Sequence, residues 1–314
     1  MWTIKQPPKI IFGKDSVCDY SFPDNCLIIT SKGARSRGWL EYAGLNNQLI
    51  FDDVEPNPSI ETVNKIILKF KDCNFTHIIG IGGGSCMDVA KFCASEMNKK
   101  KIMIPTTFGS GSEVTRISVL KVDGKKKSFH DDKFFADIAI IDSFFIKNSN
   151  EQIIKNSAID ACAQCTEAYD SISSNIYTKF LCNAAFDLLE EGILEKNYEK
   201  LVIGSLIDGL GFGNSSTTLG HALSYVYSNE GISHGHALAF TTTIAHKFNN
   251  SIFYKRFKNL VQKLKFEPIN LKQSLDQSAE LILIDKKHLD NNLKSVSKSD
   301  IINLLKIINT TNFS

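Results

Sequence analysis

The chain has 314 residues, of which 43% are hydrophobic and 22% charged, a composition typical of a globular protein that can bury a large core. Its 36 basic and 34 acidic residues leave a net charge of +2, which gives no electrostatic reason to expect nucleic acid as a partner. We expect no secretory signal and no membrane span, and the eight scattered cysteines fit buried thiols in a reducing cytoplasm.

Strand and helix patterns alternate through the first half of the chain. Short apolar runs rich in β-branched residues predict strands buried on both faces, and Ser59 follows two prolines as the N-cap of a helix over 60–71. This alternation predicts a parallel sheet covered by helices, whose ligands bind beyond the carboxyl ends of the strands. The predicted strands are 9–12, 26–30, 48–51, 78–81, 101–104, 117–120 and 138–142.

Three successive glycines, residues 82–84, stand between the predicted strand 78–81 and a helical pattern. Glycine removes Cβ where the backbone turns sharply and approaches a ligand closely. We expect Ser85 to cap the helix, whose free N–H groups would suit a phosphate. A turn with glycines only for geometry is the alternative, and the order is not the G-x-G-x-x-G of an ordinary dinucleotide fingerprint.

Polar segments that contain glycine follow three of the predicted strands. They are residues 30–33, 82–85 and 106–113. Because the carboxyl ends of parallel strands meet at one edge of a sheet, we expect all three segments to line one crevice.

Long helical patterns replace the alternation after about residue 148. We therefore predict two domains, an α/β domain over residues 1–148 and an all-helical domain over residues 149–314. Two or three amphipathic helices are expected beyond residue 268. The other predicted helices of this half are 151–170, 174–195, 197–211, 216–228, 235–249 and 252–264.

Two segments of the helical half carry polar side chains in otherwise apolar helices. Asp160 and Gln164 are four residues apart and share one helix face, and His221 and His234 belong to the second segment. Aspartate with histidine is a common ligand set for a divalent metal ion, which can polarise a carbonyl group. Spacing alone leaves a structural alternative, in which the aspartate is a cap or salt-bridge partner and the histidines are packed or surface groups.

Four motifs, occurring together and in order, resemble the iron-containing (group III) alcohol dehydrogenase family. The resemblance implies a Rossmann-like α/β domain that binds a dinucleotide, followed by an all-α metal and substrate domain, as in the dehydroquinate synthase-like fold, with the active site in the cleft between them. The motifs are Gly82-Gly83-Gly84-Ser85-x-x-Asp88-x-x-Lys91, the segment from Pro105 to Thr115, Asp160-Ala161 followed by Glu167, and His221-Ala222 with His234-Gly235-His236-Ala237.

The resemblance also implies how NADP or NAD is bound, with the glycine turn at the pyrophosphate. Ser31 stands where many NAD-preferring members have an acidic residue, and Lys32 and Arg35 add positive charge nearby. Because nothing there repels a 2′-phosphate, we predict use of NADP(H), or of both nucleotides. The implied cofactor-binding residues are Ser31, Gly82, Gly83, Gly84, Ser85, Asp88, Thr106, Thr107 and Ser110.

The metal site departs from the family pattern of one aspartate and three histidines. Gln164 stands at the position of the second ligand and Thr217 at that of the third. One interpretation is a rebuilt iron or zinc site of Asp160, His221 and His234, with the amide of Gln164 as a further candidate metal residue. The other is a weak or absent metal, with His221 or His234 acting as the catalytic proton donor.

The family implies hydride transfer between the nicotinamide and a small aldehyde or alcohol, in a protein expected to be a homodimer. Gln164 and the form of residues 217–225 resemble members that reduce phosphonoacetaldehyde to 2-hydroxyethylphosphonate, with Arg116 or His236 as candidates to hold the phosphonate. The alternatives are a reductase of another small or sugar aldehyde, a 3-dehydroquinate synthase on the same fold, and a non-catalytic nucleotide-binding homologue with a decayed metal site.

Overall fold

The computed structural model describes residues 1–147 and 149–313, which form two compact units. One unit is Thr3–Ser149, and the other is Asn150–Ser314 together with Met1–Trp2. Residue 148, at which the predicted first domain ends, lies outside the described residues. The assignment of the nucleotide to the first unit, and of metal and substrate to the second, stays a prediction.

The N-terminal unit is built on a six-stranded sheet and a separate two-stranded hairpin. Strands β1 to β8 are Lys9–Phe12, Cys26–Ile29, Leu49–Phe51, His77–Gly82, Lys100–Pro105, Ile117–Val122, Lys125–His130 and Ile138–Ile141. The sheet order is β1-β8-β5-β4-β2-β3, and every neighbouring pair is parallel, which confirms the predicted parallel sheet.

Helices cover both faces of this sheet. They are α1 (Trp39–Tyr42), α2 (Ile60–Phe70) and α3 (Gly84–Glu96). Leu27 and Ile29 of β2 pack in the apolar cluster that contains α2 and α3 side chains, whereas the intervening Ile28 packs in the cluster that contains α1. Burial on both faces explains why the strand sequences are continuously apolar rather than alternating.

The predicted cap at Ser85 is wrong. Helix α3 begins at Gly84, so Ser85 already lies in its first turn, and the N-cap residue is Gly83, which makes no side-chain hydrogen bond. Ser59, in contrast, caps α2 as predicted, and its Oγ accepts the N–H of Thr62 at 3.3 Å. The N-terminus of α3 therefore keeps N–H groups that no capping side chain satisfies.

A buried network ties α3 to the hairpin and to the loop that follows β5. Asp88 Oδ1 accepts the hydroxyl of Ser112 at 2.6 Å, and its Oδ2 accepts the N–H of Val119 at 3.0 Å. Lys91 is fully buried, pairs with Asp88 at 3.3 Å and donates to the Ser112 carbonyl at 2.8 Å. Burial lowers the pKa of Lys91, while the adjacent Asp88 carboxylate acts to raise it. Asp88 is thus committed to internal contacts, a geometry that favours a supporting role over direct contact with a nucleotide.

The C-terminal unit is entirely helical among the residues described, as predicted. Helix α4 begins and ends at the predicted residues, Glu151 and Asp170, and the tail contains three helices. None of the described helices is long and apolar enough to cross a membrane. Helices α4 to α12 are Glu151–Asp170, Ile176–Glu195, Tyr198–Phe212, Leu219–Asn229, His234–Asn249, Tyr254–Leu264, Leu275–Leu283, Lys286–Leu289 and Lys298–Thr310.

The cysteines occur as free thiols, and six of the eight are buried. Cys162 and Cys165, which form a C-x-x-C pair on α4, are both fully buried, and burial raises both thiol pKa values. This confirms their predicted role in core packing.

Candidate active site

Three helices of the C-terminal unit bring one carboxylate and two imidazoles together. Asp160 lies on α4, His221 on α7, and His234 is the first residue of α8. Asp160 Oδ1 lies 3.8 Å from His221 Nε2 and 3.9 Å from His234 Nε2, and the candidate ligand atoms all lie within 4.8 Å of one another. These separations suit three ligands of one metal ion, because ligand–metal distances near 2 Å place ligand atoms about 3–4 Å apart.

Glu167 fixes the orientation of His221. Its carboxylate accepts His221 Nδ1–H at 2.5 Å and the backbone N–H of His221 at 3.3 Å, at the N-terminus of α7. Burial acts to raise the pKa of Glu167, but the adjacent His221 outweighs it and the pKa falls to about 2. Because Nδ1–H donates to Glu167, Nε2 is the His221 ring nitrogen that faces Asp160 and is left to bind a metal ion, the arrangement found behind metal-bound histidines.

Gly220 allows this contact. A Cβ at position 220 would lie 2.5 Å from Glu167 Oε1 and 2.6 Å from Thr242 Oγ1. Only glycine therefore lets the first turn of α7 approach α4 closely enough for Glu167 to reach His221.

The flanking carboxylates favour positive charge at His221. Burial acts to lower the pKa of His221, yet Glu167 and Asp160 together raise it to about 9. A divalent cation bound by both His221 and Asp160 would balance the negative charge of these carboxylates, as a proton on His221 does.

Ser224 sets the orientation of His234 in a similar way. Its hydroxyl donates to the His221 carbonyl at 2.8 Å, so its oxygen is left to accept His234 Nδ1–H at 3.4 Å. This leaves Nε2 of His234 as the atom directed to Asp160. The Tyr225 ring lies nearly parallel to the His234 ring, with an interplanar angle of 14° and centroids 6.1 Å apart.

Gln164 has one uncommitted atom beside the triad. Its Nε2 donates to Asp160 Oδ1 at 2.8 Å, whereas its Oε1 is buried and has no hydrogen-bond partner among the described residues. An orphaned buried oxygen next to a carboxylate and two imidazoles fits a metal ion or its bound water, which would satisfy it. The residues present therefore fit a divalent metal. Thr217, which sequence analysis placed at the family's third ligand position, accepts a hydrogen bond from the Asn291 side chain with its backbone carbonyl at 3.1 Å.

The structure adds His288, a residue that sequence analysis missed. Its Nδ1 is bound to Asp285 at 2.7 Å, and its ring centroid lies 6.3 Å from that of His221 and 5.8 Å from that of Tyr225. The tail thus supplies a third imidazole to the site, with Nε2 on the side of the ring opposite Asp285. The only sequence signal is the three-residue spacing of Asp285 and His288, which is too common to be specific.

In the N-terminal unit, the three predicted polar segments follow β2, β4 and β5, which are adjacent in the sheet. A Cβ on Gly83 would lie 3.1 Å from Thr107 Oγ1, and one on Gly84 would lie 3.2 Å from Ser110 Oγ. Thr30 Oγ1 donates to the carbonyl of Ile81 at 2.6 Å. The geometry therefore brings the segments together at one edge of the sheet, as predicted.

Two features at this edge of the sheet carry hydrogen-bonding groups that have no protein partner among the described residues. Thr106 Oγ1 is buried without a hydrogen-bond partner among the described residues, and α3 has no capping side chain. Burial raises the pKa of the Cys86 thiol in the first turn of α3, and the Ser31 side chain acts to lower it. A helix N-terminus beside an unpaired hydroxyl suits a phosphorylated ligand, so the residues fit a dinucleotide.

Replacing Glu167 with glutamine is expected to weaken metal binding about 10–100-fold, because the amide no longer supports His221 as strongly as the carboxylate does. Competition with a chromophoric chelator measures the affinity. Glu199→Gln, an exposed change on α6, is the matched control and should leave the affinity unchanged. Equal metal affinity in the Glu167→Gln variant and the wild type would contradict this role.

Comparisons with known proteins agree with this geometry. A family model described as iron-containing alcohol dehydrogenase matches residues 7–143. A second, described as the C-terminal part of the Fe-containing alcohol dehydrogenase family, matches residues 154–283. His288 lies beyond the second match.

Individual relatives match over most of the chain. The 4-hydroxybutyrate dehydrogenase of Clostridium kluyveri is 31% identical, over 79% of this chain and 83% of that protein. The NADPH-dependent butanol dehydrogenase of Clostridium saccharobutylicum is 26% identical, over 87% of this chain and 75% of that protein. The solved structure of the iron-containing alcohol dehydrogenase of Thermotoga maritima matches with a TM-score of 0.87 at 22% identity, over 99% of this chain and 100% of that one, which shows a shared fold.

Proposed function

Because this chain belongs to the iron-containing alcohol dehydrogenase family, we propose that it reduces a small aldehyde to an alcohol, with a divalent metal held by Asp160, His221 and His234. The family assignment makes the chain an NAD(P)-dependent, metal-dependent alcohol dehydrogenase. The observation that carries the more specific proposal is the triad, in which both histidines direct Nε2 to one carboxylate oxygen.

The protein's own groups prepare this chemistry. When bound, the metal supplies Lewis-acid polarisation of the carbonyl oxygen and the nicotinamide nucleotide supplies the hydride. Gln164 orients Asp160, Glu167 fixes the proton on Nδ1 of His221, and Ser224 does the same for His234. The net reaction takes up one hydride at the carbonyl carbon and one proton at its oxygen, and releases the oxidised nucleotide and the alcohol.

We propose phosphonoacetaldehyde as the substrate, reduced to 2-hydroxyethylphosphonate. The support is Gln164 and the form of residues 217–225. The 4-hydroxybutyrate dehydrogenase relative, whose named substrate is also a short alcohol with an anionic end, is consistent with this class. The two candidate phosphonate ligands are already engaged: Arg116 pairs with Asp132 at 3.0 Å, and His236 bonds the Glu267 carbonyl at 2.6 Å. We therefore assign the phosphonate to neither.

Steady-state reduction rates test the substrate. We expect kcat/KM for phosphonoacetaldehyde to exceed that for propanal by at least about tenfold, the effect of one charge-assisted contact. Succinate semialdehyde is the control for an anionic end of different geometry. A higher rate on succinate semialdehyde or on neutral aldehydes would reject phosphonoacetaldehyde but keep the reductase. Nucleotide binding with no turnover of any aldehyde by metal-loaded protein would instead indicate a non-catalytic homologue.

NADP(H) is the proposed nucleotide, with NAD(H) as the alternative. The support is Ser31, which places no carboxylate beside the expected position of the adenosine ribose. A relative named for its NADPH dependence is consistent with it. Homodimeric assembly and a cytoplasmic location stay predictions.

A further inference from the structure

The segment that follows β2 contains three cationic side chains, Lys32, Arg35 and Arg37. The structure gives Lys32 and Arg37 different surroundings. Lys32 Nζ lies 2.9 Å from Asp53 Oδ1, and the other oxygen of Asp53 lies 3.6 Å from Lys65 Nζ. Lys32 is therefore paired with a carboxylate that it shares with Lys65. The residue that sequence analysis placed beside Ser31 as a source of positive charge thus already has an acidic partner.

Arg37 occupies a different position. Its Cζ and Nη2 lie 3.3 Å from the point that a Cβ on Gly33 would occupy, so the guanidinium covers the turn that begins at Ser31. Gly33 has a φ of +88°, in the left-handed region that favours glycine, and the absent side chain leaves the space that Arg37 fills.

Trp39 holds Arg37 in place. The guanidinium carbon lies 4.7 Å from the centroid of the Trp39 ring, and that ring packs edge-on against Phe145 at 6.1 Å. No carboxylate among the described residues lies within ion-pair distance, 4.0 Å, of Arg37. The side chain is exposed, so a fixed guanidinium with an uncompensated charge faces solvent at this turn.

The charge of Arg37 acts on a thiol in the first turn of α3. Burial is the largest influence on the Cys86 thiol and raises its pKa to about 12, while the Ser31 side chain and the charge of Arg37 both act to lower it. Thr30, the neighbour of Ser31, also donates to the carbonyl of Ile81 at 2.6 Å, so the turn that Arg37 covers lies beside the glycine turn that follows β4.

We propose that Arg37 selects NADP(H) by binding the 2′-phosphate of the adenosine ribose, with Ser31 beside it. This inference rests on the proposed function, since it assigns a residue to the nucleotide site of that enzyme. A guanidinium presents two parallel N–H donors that match phosphate oxygens, and its fork is already held by Trp39. NAD(H) lacks the 2′-phosphate and gains nothing from this group.

Nucleotide binding without any aldehyde tests the assignment. Titration of the metal-loaded protein with NADPH and NADH, followed by nicotinamide fluorescence, gives the two dissociation constants. We expect Arg37→Gln to weaken NADPH binding about 10–100-fold, the cost of losing a charge-assisted hydrogen bond, and to change NADH binding less than about twofold. Arg37→Lys keeps the charge but not the two parallel N–H donors. Its dissociation constant for NADPH should therefore lie between those of the wild type and Arg37→Gln.

Arg35→Gln tests the other arginine of this exposed turn, which sequence analysis placed near the ribose, and should change neither constant by more than about twofold. Lys71→Gln, an exposed change at the C-terminal end of α2, is the control for loss of a positive charge in general and should also leave both constants unchanged. Three results would each overturn the inference. Arg37→Gln could weaken NADPH and NADH binding equally, it could leave NADPH binding unchanged, or the selective loss of NADPH binding could occur in Arg35→Gln instead. The proposed function fails separately, if the wild type binds neither nucleotide or binds both without reducing any aldehyde.

Discussion

His234→Ala is expected to lower kcat/KM for aldehyde reduction by at least about a thousandfold, which corresponds to about 4 kcal/mol of lost transition-state stabilisation. The variant should also retain much less than one metal ion per chain. Two protein ligands, Asp160 and His221, would remain, whereas catalytic metal sites ordinarily use three. Metal content by mass spectrometry and steady-state kinetics measure both effects.

His234 is the best of the three ligands for this test. Its side chain is 36% exposed, against 6% for His221, so truncation creates little buried cavity and the fold should be unaffected. His130→Ala, which removes an exposed imidazole from β7, is the control for loss of a histidine in general. A variant that keeps a full equivalent of metal and activity within tenfold of wild type would exclude the triad. Full activity in metal-free wild-type protein would favour a histidine proton donor instead.

The elements that sequence analysis placed correctly are those fixed by local chemistry. The glycine turn after β4 and the Ser59 cap follow from backbone sterics and hydrogen bonding within a few residues. The limits of α4 follow from a long helical pattern, preceded by Asn150, whose side chain caps the helix. Such signals need no knowledge of the rest of the chain.

The errors and omissions arise where distant segments meet. Ser85 reads as a cap because the three glycines give no sign of where the helix begins, and the structure begins it two residues earlier. His288 lies on a four-residue helix in a tail with no recognisable motif, and only tertiary packing brings it near His221. Lys32 and Arg37 belong to one segment, yet Asp53 pairs with Lys32 and not with Arg37. Asp53 lies 21 positions beyond Lys32 in the chain, so the sequence of the segment does not show this difference.

Lys91→Met is expected to destabilise the N-terminal unit by about 3–5 kcal/mol, because it removes one partner of a buried ion pair and leaves the other unpaired. Asp88 would keep its hydrogen bonds from Ser112 and Val119 but lose the cation that balances its charge. Glu113, which is also buried and whose pKa burial raises to about 7, would lose the positive charge that acts to lower that pKa. Methionine fills a similar volume, so the loss reports charge rather than a cavity.

Urea unfolding of the full chain measures this effect if the signal comes from the N-terminal unit alone. The chain has two tryptophans, Trp2 and Trp39, and of these only Trp39 belongs to that unit, so both proteins should carry Trp2→Phe. Lys100→Met, an exposed change on β5, should alter the free energy of unfolding by less than about 0.5 kcal/mol. Adding Asp88→Asn to Lys91→Met should recover at least about 1 kcal/mol, since the unpaired carboxylate is then gone. A loss below about 1 kcal/mol in Lys91→Met, or no recovery in the double variant, would show that the pair is not what holds α3 to the loop after β5.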